Sequence, residues 1–589
     1  MIKETGLGRK QKLAAAVIFS LLSGTAFCQC SGISTSNDLQ LWLFVLFVPL
    51  YIRALEIKDK KLDLAAGVCG LLFMLAYLAA NLPVLLSLET ADALYRTVCI
   101  VSGLYLFFKS MTAVLFKTVS GICADISGER TKKECLKIFF ISVLCMAVCR
   151  IPYFLLMYPG GFNADSCMQF YQILGLAPYS NHHPFVHTMF VKATYSLGLL
   201  IFKSRVPAFA FSNVCQCVIM TFMFAYIIES LYKYGIKKKV IIAVLAYFCI
   251  MPYHGAFGFI MWKDSLFGAV AAVFAVTMWR FILAFKNKKA VVYESIMLYI
   301  YGTLFCLFRT NGYYAFLVFI PFFAAAFFKK SKTAVGAVVM AFLTAAFVKG
   351  PVYSAMGVVP VDFIEAVSVP VQQMACALKD NVPLTAEEYE LLSEAVDVKT
   401  AMEYYNPNLS DDIKYFVRKK NNQNYIVQHK ADYFKLWLKL GMRAPTSYIK
   451  AYSSLTCGFY YPNVDWAGCS VYGEPYYGEA EMIDMPRHAL MPQFAADIMK
   501  KLLYSYTNIY FVGVFFNVAL SVWLCILTAA LCFIKKEKVY FIIYIPMLAY
   551  IATILVTTPV CVCFRYVYCI FTTLPLLCIL PFFGKKDGE

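Results

Sequence analysis

Long apolar runs recur along nearly the whole chain, and they constrain its fold more than any other feature. Each run has about 18–25 residues, the length that a helix needs to cross a bilayer core of roughly 30 Å. Of the 589 residues, 61% are hydrophobic and only 15% are charged, whereas about 25% are charged in an ordinary soluble domain. The sequence therefore predicts an all-α integral membrane protein with about fourteen transmembrane helices and a mixed, mainly helical extracytoplasmic domain.

Basic residues lie in short clusters between the apolar runs, and these clusters predict the orientation of the chain. Segments 3–12, 53–61 and 130–137 are basic, and the acidic segment 89–92 falls between the last two of them. Cytoplasmic loops are the ones that carry the excess of Lys and Arg. We therefore expect both termini inside the cell and the loop after the fifth run outside. The net charge of +18 is explained by these loops and does not indicate a nucleic acid partner.

The run Phe185–Phe202 resembles a further span, but treating it as one creates a conflict. If it crossed the bilayer, the later basic loops at 237–239, 286–289 and 535–538 would all lie outside. The run is also short and is interrupted by Lys192. We therefore expect an interfacial helix that lies on, or dips into, the outer membrane surface.

These runs divide the chain into five predicted parts: N-terminal helices with about five spans (1–157), an external loop with the interfacial helix (158–205), a central core of about six spans (206–352), an extracytoplasmic domain (353–505) and about three C-terminal spans (506–589). The fourth part is far more polar than the rest, and its charged segment 385–403 predicts helix. Segment 456–477 is rich in Tyr, Gly and Pro. Pairing of Cys457 with Cys469 is left open.

The external loop 158–187 is polar and rich in turn-forming residues, which is unusual for a connector between membrane helices. Its one carboxylate, Asp165, precedes a predicted amphipathic helix at 168–176 and is our candidate for a catalytic base; the alternative is an ordinary loop acid. His182 and His183 could bind a metal together with a carboxylate. Because adjacent His side chains rarely ligate one ion, contacts to substrate or a structural role in the loop are favoured.

Three cations occur near predicted outer helix ends: Lys263, Arg309 and Arg565. Ionisable groups at membrane depth cost about 2.5–3.5 kcal/mol or more, so they tend to be paired and functional. Together the three would form a pocket for a phosphate at headgroup level, with Arg as a bidentate ligand. The alternatives are snorkelling anchors, a local ion pair of Lys263 with Asp264, and a simple turn in which Gly312 supplies a positive φ.

Asp165, the His183-Pro184 pair eighteen residues later, the expected interfacial helix and the Arg205-Val206-Pro207 start of the next run resemble the GT-C glycosyltransferases. These polytopic enzymes, among them protein O-mannosyltransferases and the aminoarabinose transferases of lipid A, take sugars from polyprenyl-phosphate or polyprenyl-pyrophosphate carriers. The chain is more similar still to an uncharacterised bacterial group of GT-C-like membrane proteins, through short motifs at 162–165, 263–264, 309–312, 369–373, 458–462 and 565–566. Many GT-C enzymes carry paired acids in this loop, whereas here Asp165 stands alone.

The resemblance implies an inverting transferase in the cell membrane, with its active site outside. Asp165 would be the general base, and Lys263, Arg309 and Arg565 would hold the donor phosphate. The residues that would contact substrate are Asn163, Gln169, His182, His183, Asp264, Asn311, Gln372 and Gln373. The expected partners are a polyprenyl-phosphate-sugar donor, the lipid bilayer and a glycan, lipid or protein acceptor. No cofactor is required by this interpretation, and a divalent metal remains open.

The aromatic residues Phe459, Tyr460, Tyr461 and Trp466 could stack on sugar rings or form ordinary domain core. Two other functions compete with the transferase. A flippase or other transporter of lipid-linked glycans would carry charges or broken helices near mid-membrane and paired repeats. A polymerase or ligase of surface polysaccharide would share the same class of substrate. A non-catalytic scaffold would leave the converging cations without a purpose.

Overall fold

The computed structural model of the chain describes all residues except 1–7, 34–37, 83–89, 123–127, 129, 463–484, 486–487, 506–511, 536–537 and 584–589. Helices dominate the described residues, which contain isolated β-bridges between loops but no β-strand. Two residues named in the predictions above lie outside the described residues: Trp466, one of the aromatic residues, and Cys469, the possible partner of Cys457.

The α-helices are, in chain order, α1 (Arg9–Cys30), α2 (Asp38–Leu55), α3 (Lys60–Ala80), α4 (Thr90–Ser120), α5 (Lys132–Met157), α6 (Ala164–Ile173), α7 (Phe185–Phe202), α8 (Arg205–Lys233), α9 (Lys238–Ile250), α10 (Pro252–Ala256), α11 (Lys263–Lys286), α12 (Val292–Phe308), α13 (Thr310–Phe327), α14 (Lys332–Phe347, extended by a π-helical turn at Val348–Val352 and a last α-helical turn at Tyr353–Ala355), α15 (Phe363–Ala366), α16 (Ser368–Lys379), α17 (Ala386–Ala395), α18 (Val398–Glu403), α19 (Asp411–Lys420), α20 (Gln423–Gln428), α21 (Lys430–Arg443), α22 (Pro445–Thr456), α23 (Gln493–Ser505), α24 (Val518–Ile534), α25 (Phe541–Thr557) and α26 (Phe564–Ile579).

Among the described residues, eleven helices are long and apolar enough to cross a membrane, and α12, α24 and α25 are shorter apolar helices. The chain is therefore an all-α membrane protein, as the apolar runs predicted. The apolar runs at about 239–257 and 508–534 each predict one span, and the structure differs from both in detail. The run at about 239–257 is divided into α9 and α10, because Pro252 cannot donate the hydrogen bond that would continue α9 and instead begins a new helix. In the run at about 508–534, the described α-helix begins only at Val518.

Helix α11 is the centre of the membrane region, since its apolar stretch is 100% buried inside the protein. It packs against α8, α12 and α26. The approach to α26 is close because Gly268 has no side chain: a Cβ there would lie 2.7 Å from the ring of Tyr568. The hydroxyl of Thr572 also donates to the Gly268 carbonyl at 2.6 Å. These contacts place the beginnings of α11 and α26 side by side.

The first four helices form a bundle at the side of this core, in which α1 packs against α2 and α4, and α3 packs against α4. An ion pair between Lys109 and Asp63, 2.9 Å apart, joins α4 to α3. The bundle contacts the core through α3 and α24, where the rings of Phe73 and Trp523 stack with centroids 3.7 Å apart. The site described below lies on the core side of this contact.

Helices α5 and α8 run antiparallel along most of their length. Near the end of α5, the side-chain amide of Asn213 on α8 donates to the carbonyl of Pro159 at 3.2 Å. Near the beginning of α5, the backbone N–H of Arg130 donates to the carbonyl of Lys233 at 3.2 Å. Helix α8 therefore reaches the level of Pro159 only about two turns after it begins.

Helix α7 packs against those first two turns of α8. The hydroxyls of Thr194 and Ser212 are 2.7 Å apart, and a Cβ on Gly198 would lie 2.8 Å from the backbone of Ala208. Lys203, in the left-handed conformation with φ 52°, ends α7 and lets the chain reverse into α8. The two helices therefore form a tight antiparallel hairpin.

The polar part of the chain after α14 is helical in its described residues, α15 to α22, around its own apolar core. The predicted helix at 385–403 is confirmed as α17 and α18. Thr385 and Glu388 form a capping box at the start of α17. Glu388 is also paired with Arg443 at 2.9 Å, which ties α17 to α21.

The linker between α25 and α26 is held by backbone hydrogen bonds to this polar part. Ser410 donates to the Pro559 carbonyl at 2.8 Å, and Cys561 donates to the Asn408 carbonyl at 2.9 Å. Gly458 donates to the Cys561 carbonyl at 3.1 Å. The position from which α26 begins therefore depends on the polar part as well as on the membrane helices.

Candidate functional site

Asp165 lies in the first turn of α6, and the cap of that helix determines its position. The side-chain oxygen of Asn163 accepts a hydrogen bond from the backbone N–H of Ser166 at 3.0 Å, so the helix begins at Ala164. The expectation that the helix starts at Met168 is wrong, because the residues interpreted as a turn include this N-cap. Asp165 is therefore held on a helix and not on a loose loop.

The loop before α6 is bonded to the segment that leads into α11. Gly161 donates to the Phe259 carbonyl at 2.8 Å and accepts from the N–H of Met261 at 3.3 Å. Gly160 has a φ of 152°, and a Cβ there would lie 2.1 Å from the side chain of Asn213. Only glycine fits this position, and the close contact brings the start of α6 beside the start of α11.

The carboxylate of Asp165 meets two cations from distant parts of the chain. Its Oδ2 accepts from Nζ of Lys263 at 3.0 Å and from NH1 of Arg565 at 2.7 Å. Nζ of Lys263 also lies 2.9 Å from Nδ1 of His183. The Asp165 side chain is 23% exposed, so the group is recessed but open to a ligand. We call Asp165, Lys263, Arg565 and His183 the Asp165 cluster.

The protonation states within the cluster follow from its geometry. Burial opposes ionisation of Asp165, but the charges of Arg565 and Lys263 outweigh it and hold the pKa of the carboxyl well below its usual range. Burial, assisted by the charge of Lys263, holds the pKa of His183 well below its usual range, so the ring is neutral. Its Nδ1 then accepts from Lys263 and its Nε2 carries the proton. The cluster has a net charge of +1.

Aromatic rings surround the guanidinium of Arg565. It lies 5.5 Å from the ring centroid of Trp262 and 5.2 Å from that of Tyr566. The indole N–H of Trp262 is buried and has no hydrogen-bond partner among the described residues. Neither ring was among the residues predicted for the site; the signal in the sequence is that each is the chain neighbour of a cation in the cluster.

Arg309 and Asp264 form a second ion pair beside the cluster. Both are buried, with 7% and 1% of their surface exposed. Asp264 therefore pairs with Arg309 and not with its neighbour Lys263, which excludes the local pair considered from sequence. The turn with a positive φ at Gly312 is also wrong. Arg309 is a single extended residue between α12 and α13, and Gly312 lies within α13, where a Cβ would come 2.5 Å from a backbone oxygen of α12.

Gln169 and Asn311 form hydrogen bonds between elements of the described protein. The buried amide of Gln169 donates to the hydroxyl of Thr188 at 2.8 Å and lies 3.2 Å from Nδ1 of His187. The amide of Asn311 donates to two threonine hydroxyls of α25 at 3.2 and 3.3 Å. Gln169 therefore joins α6 to α7, and Asn311 joins α13 to α25.

Gln372 and Gln373 make their described contacts inside the polar part of the chain. The amide of Gln372 donates to the carbonyl of Asn406, and the carbonyl oxygen of Gln373 accepts from the indole of Trp437 at 2.8 Å. His182 is exposed, and its ring meets the neighbouring His ring edge-on at 4.6 Å. Of these three residues, only His182 adjoins the Asp165 cluster directly.

The described residues contain no group of three or more His, Cys, Asp or Glu side chains that could hold a metal ion. The carboxylate that a metal would need, Asp165, instead accepts from Lys263 and Arg565. Lysine and arginine therefore supply the positive charge at this position. Such an arrangement keeps the carboxylate ionised and places two cations where they could also contact an anionic ligand.

Comparison with known proteins gives a family without an assigned activity. No curated protein and no solved structure matches the chain. A family model described as a family of unknown function, DUF6020, matches residues 176–587. The matched stretch includes His183, Lys263 and Arg565, whereas Asp165 precedes it. Since the match covers well over half of the sequence, the chain belongs to the DUF6020 family.

Proposed function

We propose that this protein is a membrane glycosyltransferase. It would move a sugar from a polyprenyl-phosphate-linked donor to a hydroxyl of a glycan, lipid or protein acceptor on the outer face of the cell membrane. The observation that carries the proposal is the contact of Lys263 and Arg565 with Asp165 at the ends of membrane helices. Two cations that could hold an anionic leaving group thus lie beside a carboxylate that could act as the base, as the resemblance to GT-C enzymes implies.

The two cations suit a phosphate leaving group. Arg565 can donate two parallel hydrogen bonds to phosphate oxygens, and Lys263 adds a compact charge. Preorganised donors of this kind stabilise the negative charge that develops as the bond to the leaving group breaks. Arg309 is neutralised by Asp264, so we assign the main role to Lys263 and Arg565 and give Arg309 a supporting one through Tyr566, whose ring lies 4.8 Å from its guanidinium.

Asp165 is a weak base while both cations contact it, because its pKa is well below the usual range. An arriving phosphate would draw Lys263 and Arg565 toward itself, and the proton affinity of Asp165 would rise. Donor binding would thus activate the base. Asp165 then takes the proton of the acceptor hydroxyl, the acceptor oxygen bonds to the anomeric carbon, and the bond from that carbon to the phosphate oxygen breaks, with inversion. A positioned base contributes about 10²–10⁴-fold.

The hairpin of α7 and α8 supports the proposed topology. Helix α7 starts beside the Asp165 cluster, and α8 returns to the level of Pro159 at Asn213. Both ends of α7 therefore belong to one face, which favours an interfacial helix over a span although its length would allow crossing. With α7 on the surface, the basic loops fall on the opposite face. The positive-inside rule then makes that face, and both termini, cytoplasmic.

A flippase of lipid-linked glycans is the second candidate, and one observation favours it. Arg150 is 3% exposed within α5 and donates to the hydroxyl of Thr221 on α8. A buried cation inside membrane helices is a feature of transport pathways. The same residue could equally hold α5 to α8, and the Asp165 cluster lies away from it at the helix ends.

Mass spectrometry of lipid-linked sugars and surface glycans tests the proposal, with cells that contain the protein, lack it, or carry Asp165→Asn. We expect the variant to resemble the deletion: the donor accumulates and one surface glycan disappears. Undiminished glycan with Asp165→Asn would contradict the transferase. A membrane-impermeant oxidant of sugars separates the candidates further. The accumulated donor is oxidised if transfer fails outside, and it is protected if a flippase has been lost.

A further inference from the structure

A second cationic site lies at the other end of α11. The turns after α11 and α13 form an open pocket of about 490 Å³, lined by Phe285, Lys286, Lys288, Lys289, Val291, Lys330 and Ser331. We propose that this pocket binds the phosphate groups of an anionic phospholipid headgroup in the leaflet opposite the Asp165 cluster.

The length of α11 places the pocket at headgroup level. The helix has 24 residues, and at a rise of about 1.5 Å per residue it is roughly 36 Å long. A bilayer core is roughly 30 Å thick. Because the first residue of α11, Lys263, belongs to the Asp165 cluster, the pocket lies about one membrane thickness away from that cluster. It therefore faces lipid headgroups of the other leaflet.

The end of α11 spreads its lysines around a turn. Lys288 adopts the left-handed conformation with φ 54°. The N–H groups of Lys288 and Lys289 donate to carbonyls of the last helical turn at 3.1 and 2.9 Å, which closes the helix. Lys286 lies over the ring of Tyr540, with Nζ 4.6 Å from the centroid. The backbone of this turn is therefore fixed, and the exposed side chains of its three lysines line the cavity.

The second turn adds a cation and a hydroxyl. Lys330 and Ser331 both donate their backbone N–H groups to the carbonyl of Phe327, at 2.9 and 2.7 Å. Topogenic lysines need only be on the cytoplasmic side of the membrane. Here lysines from two separate loops line one cavity, so their charges can act on the same bound anion.

The charge and the lining of the pocket indicate the class of ligand. Among the described residues, four lysines and no acidic residue line it, so the lining of the pocket is cationic. Lysine binds phosphate as a point charge, and Phe285 and Val291 supply apolar surface for the glycerol region. Ligand pockets typically have volumes of about 300–1,000 Å³. A headgroup with two phosphates should therefore bind more tightly than one with a single phosphate.

Thermal unfolding of the purified full-length protein tests this proposal. The probes are cardiolipin, phosphatidylglycerol, phosphatidylcholine and soluble pyrophosphate. The pocket variant is Lys288→Gln/Lys330→Gln, and the matched control is Lys60→Gln/Lys61→Gln, which removes two exposed lysines at the start of α3. We expect cardiolipin to stabilise the wild type and the control at equal concentrations. The pocket variant should need at least tenfold more cardiolipin for the same shift.

If both variants lost stabilisation by cardiolipin equally, or if neither lost it, the proposal that this pocket binds the lipid would be overturned. Stabilisation by pyrophosphate at concentrations as low as those of cardiolipin would overturn the lipid assignment and give the site to a soluble phosphate compound. Because none of these readouts involves sugar transfer, the result is independent of the proposed function.

Discussion

Asp165→Asn should tighten the binding of a polyprenyl phosphate while it stops sugar transfer. In the wild type, Asp165 occupies the two donors that a phosphate would need, Nζ of Lys263 at 3.0 Å and NH1 of Arg565 at 2.7 Å. An arriving phosphate must share these donors and must also lie close to the negative carboxylate. Asparagine keeps the size of the side chain and removes its charge, so the repulsion disappears and a neutral amide oxygen competes only weakly for the two donors.

The size of the effect follows from these contacts. A phosphate oxygen at about 2.8 Å from the same two nitrogens would place the phosphate charge roughly 5 Å from that of Asp165. At an effective dielectric constant of about 20, two unit charges at that distance repel by about 3 kcal/mol. Water and ions screen part of this repulsion, so we expect at least about tenfold tighter binding, or roughly 1.4 kcal/mol. Transfer should fall by about 10²–10⁴-fold, because the base is lost.

Equilibrium binding of a radiolabelled short-chain polyprenyl phosphate to the purified protein provides the assay. Asp63→Asn is the matched control, because that carboxylate also pairs with a lysine, Lys109, but lies in the N-terminal bundle. The control should bind like the wild type. If a folded Asp165→Asn protein bound the lipid equally or more weakly, Lys263 and Arg565 would not be the phosphate site and the reasoning would fail.

Three further predictions concern the surroundings of the cluster. Gly458→Ala should lower transfer by up to about 10²-fold, because a Cβ there would lie 2.4 Å from a side-chain carbon of the linker before α26; Gly336→Ala, with nothing within 4 Å, is the neutral control in the same transfer assay. The midpoint of thermal unfolding should fall as the pH drops below about 6.5, because His183 is neutral when folded and gains a proton when unfolded; His183→Gln should flatten that slope. In chemical denaturation, Asp264→Asn should lower the free energy of unfolding by about 3–5 kcal/mol, because it leaves the buried charge of Arg309 unpaired. The double variant Asp264→Asn/Arg309→Met should recover most of this loss. Equal instability of the two variants would contradict the pairing.

The helices were predictable from sequence because lipid forces each spanning segment to satisfy its backbone internally and to be apolar throughout. The membrane class and the approximate span positions follow from this requirement alone. The start of α6 was missed because Asn163 is equally at home in a turn and at a helix N-cap, and only the hydrogen bond to Ser166 distinguishes them. Local residue preferences cannot resolve such a boundary.

The predicted orientation of the helices put Asp165, Lys263 and Arg565 on one face of the membrane. In the structure the three side chains are in contact. The face of the membrane on which a residue lies does not determine which charges form a pair, because pairing depends on the rotation of each helix about its axis. Arg309 and Asp264 therefore pair with each other in a way that no sequence spacing indicated. The contacts of Gln372 and Gln373 likewise depend on the packing of the polar part.

The separation of the cluster along the chain has a consequence for biosynthesis. Arg565 follows Asp165 by 400 residues, so at about 5–20 residues per second a ribosome needs roughly 20–80 s to supply it. Until α26 has been synthesised, the nascent protein has Asp165 and Lys263 but lacks Arg565, the second cation of the Asp165 cluster. For the proposed transferase, truncation anywhere before α26 should therefore yield a protein that inserts into the membrane but does not transfer sugar.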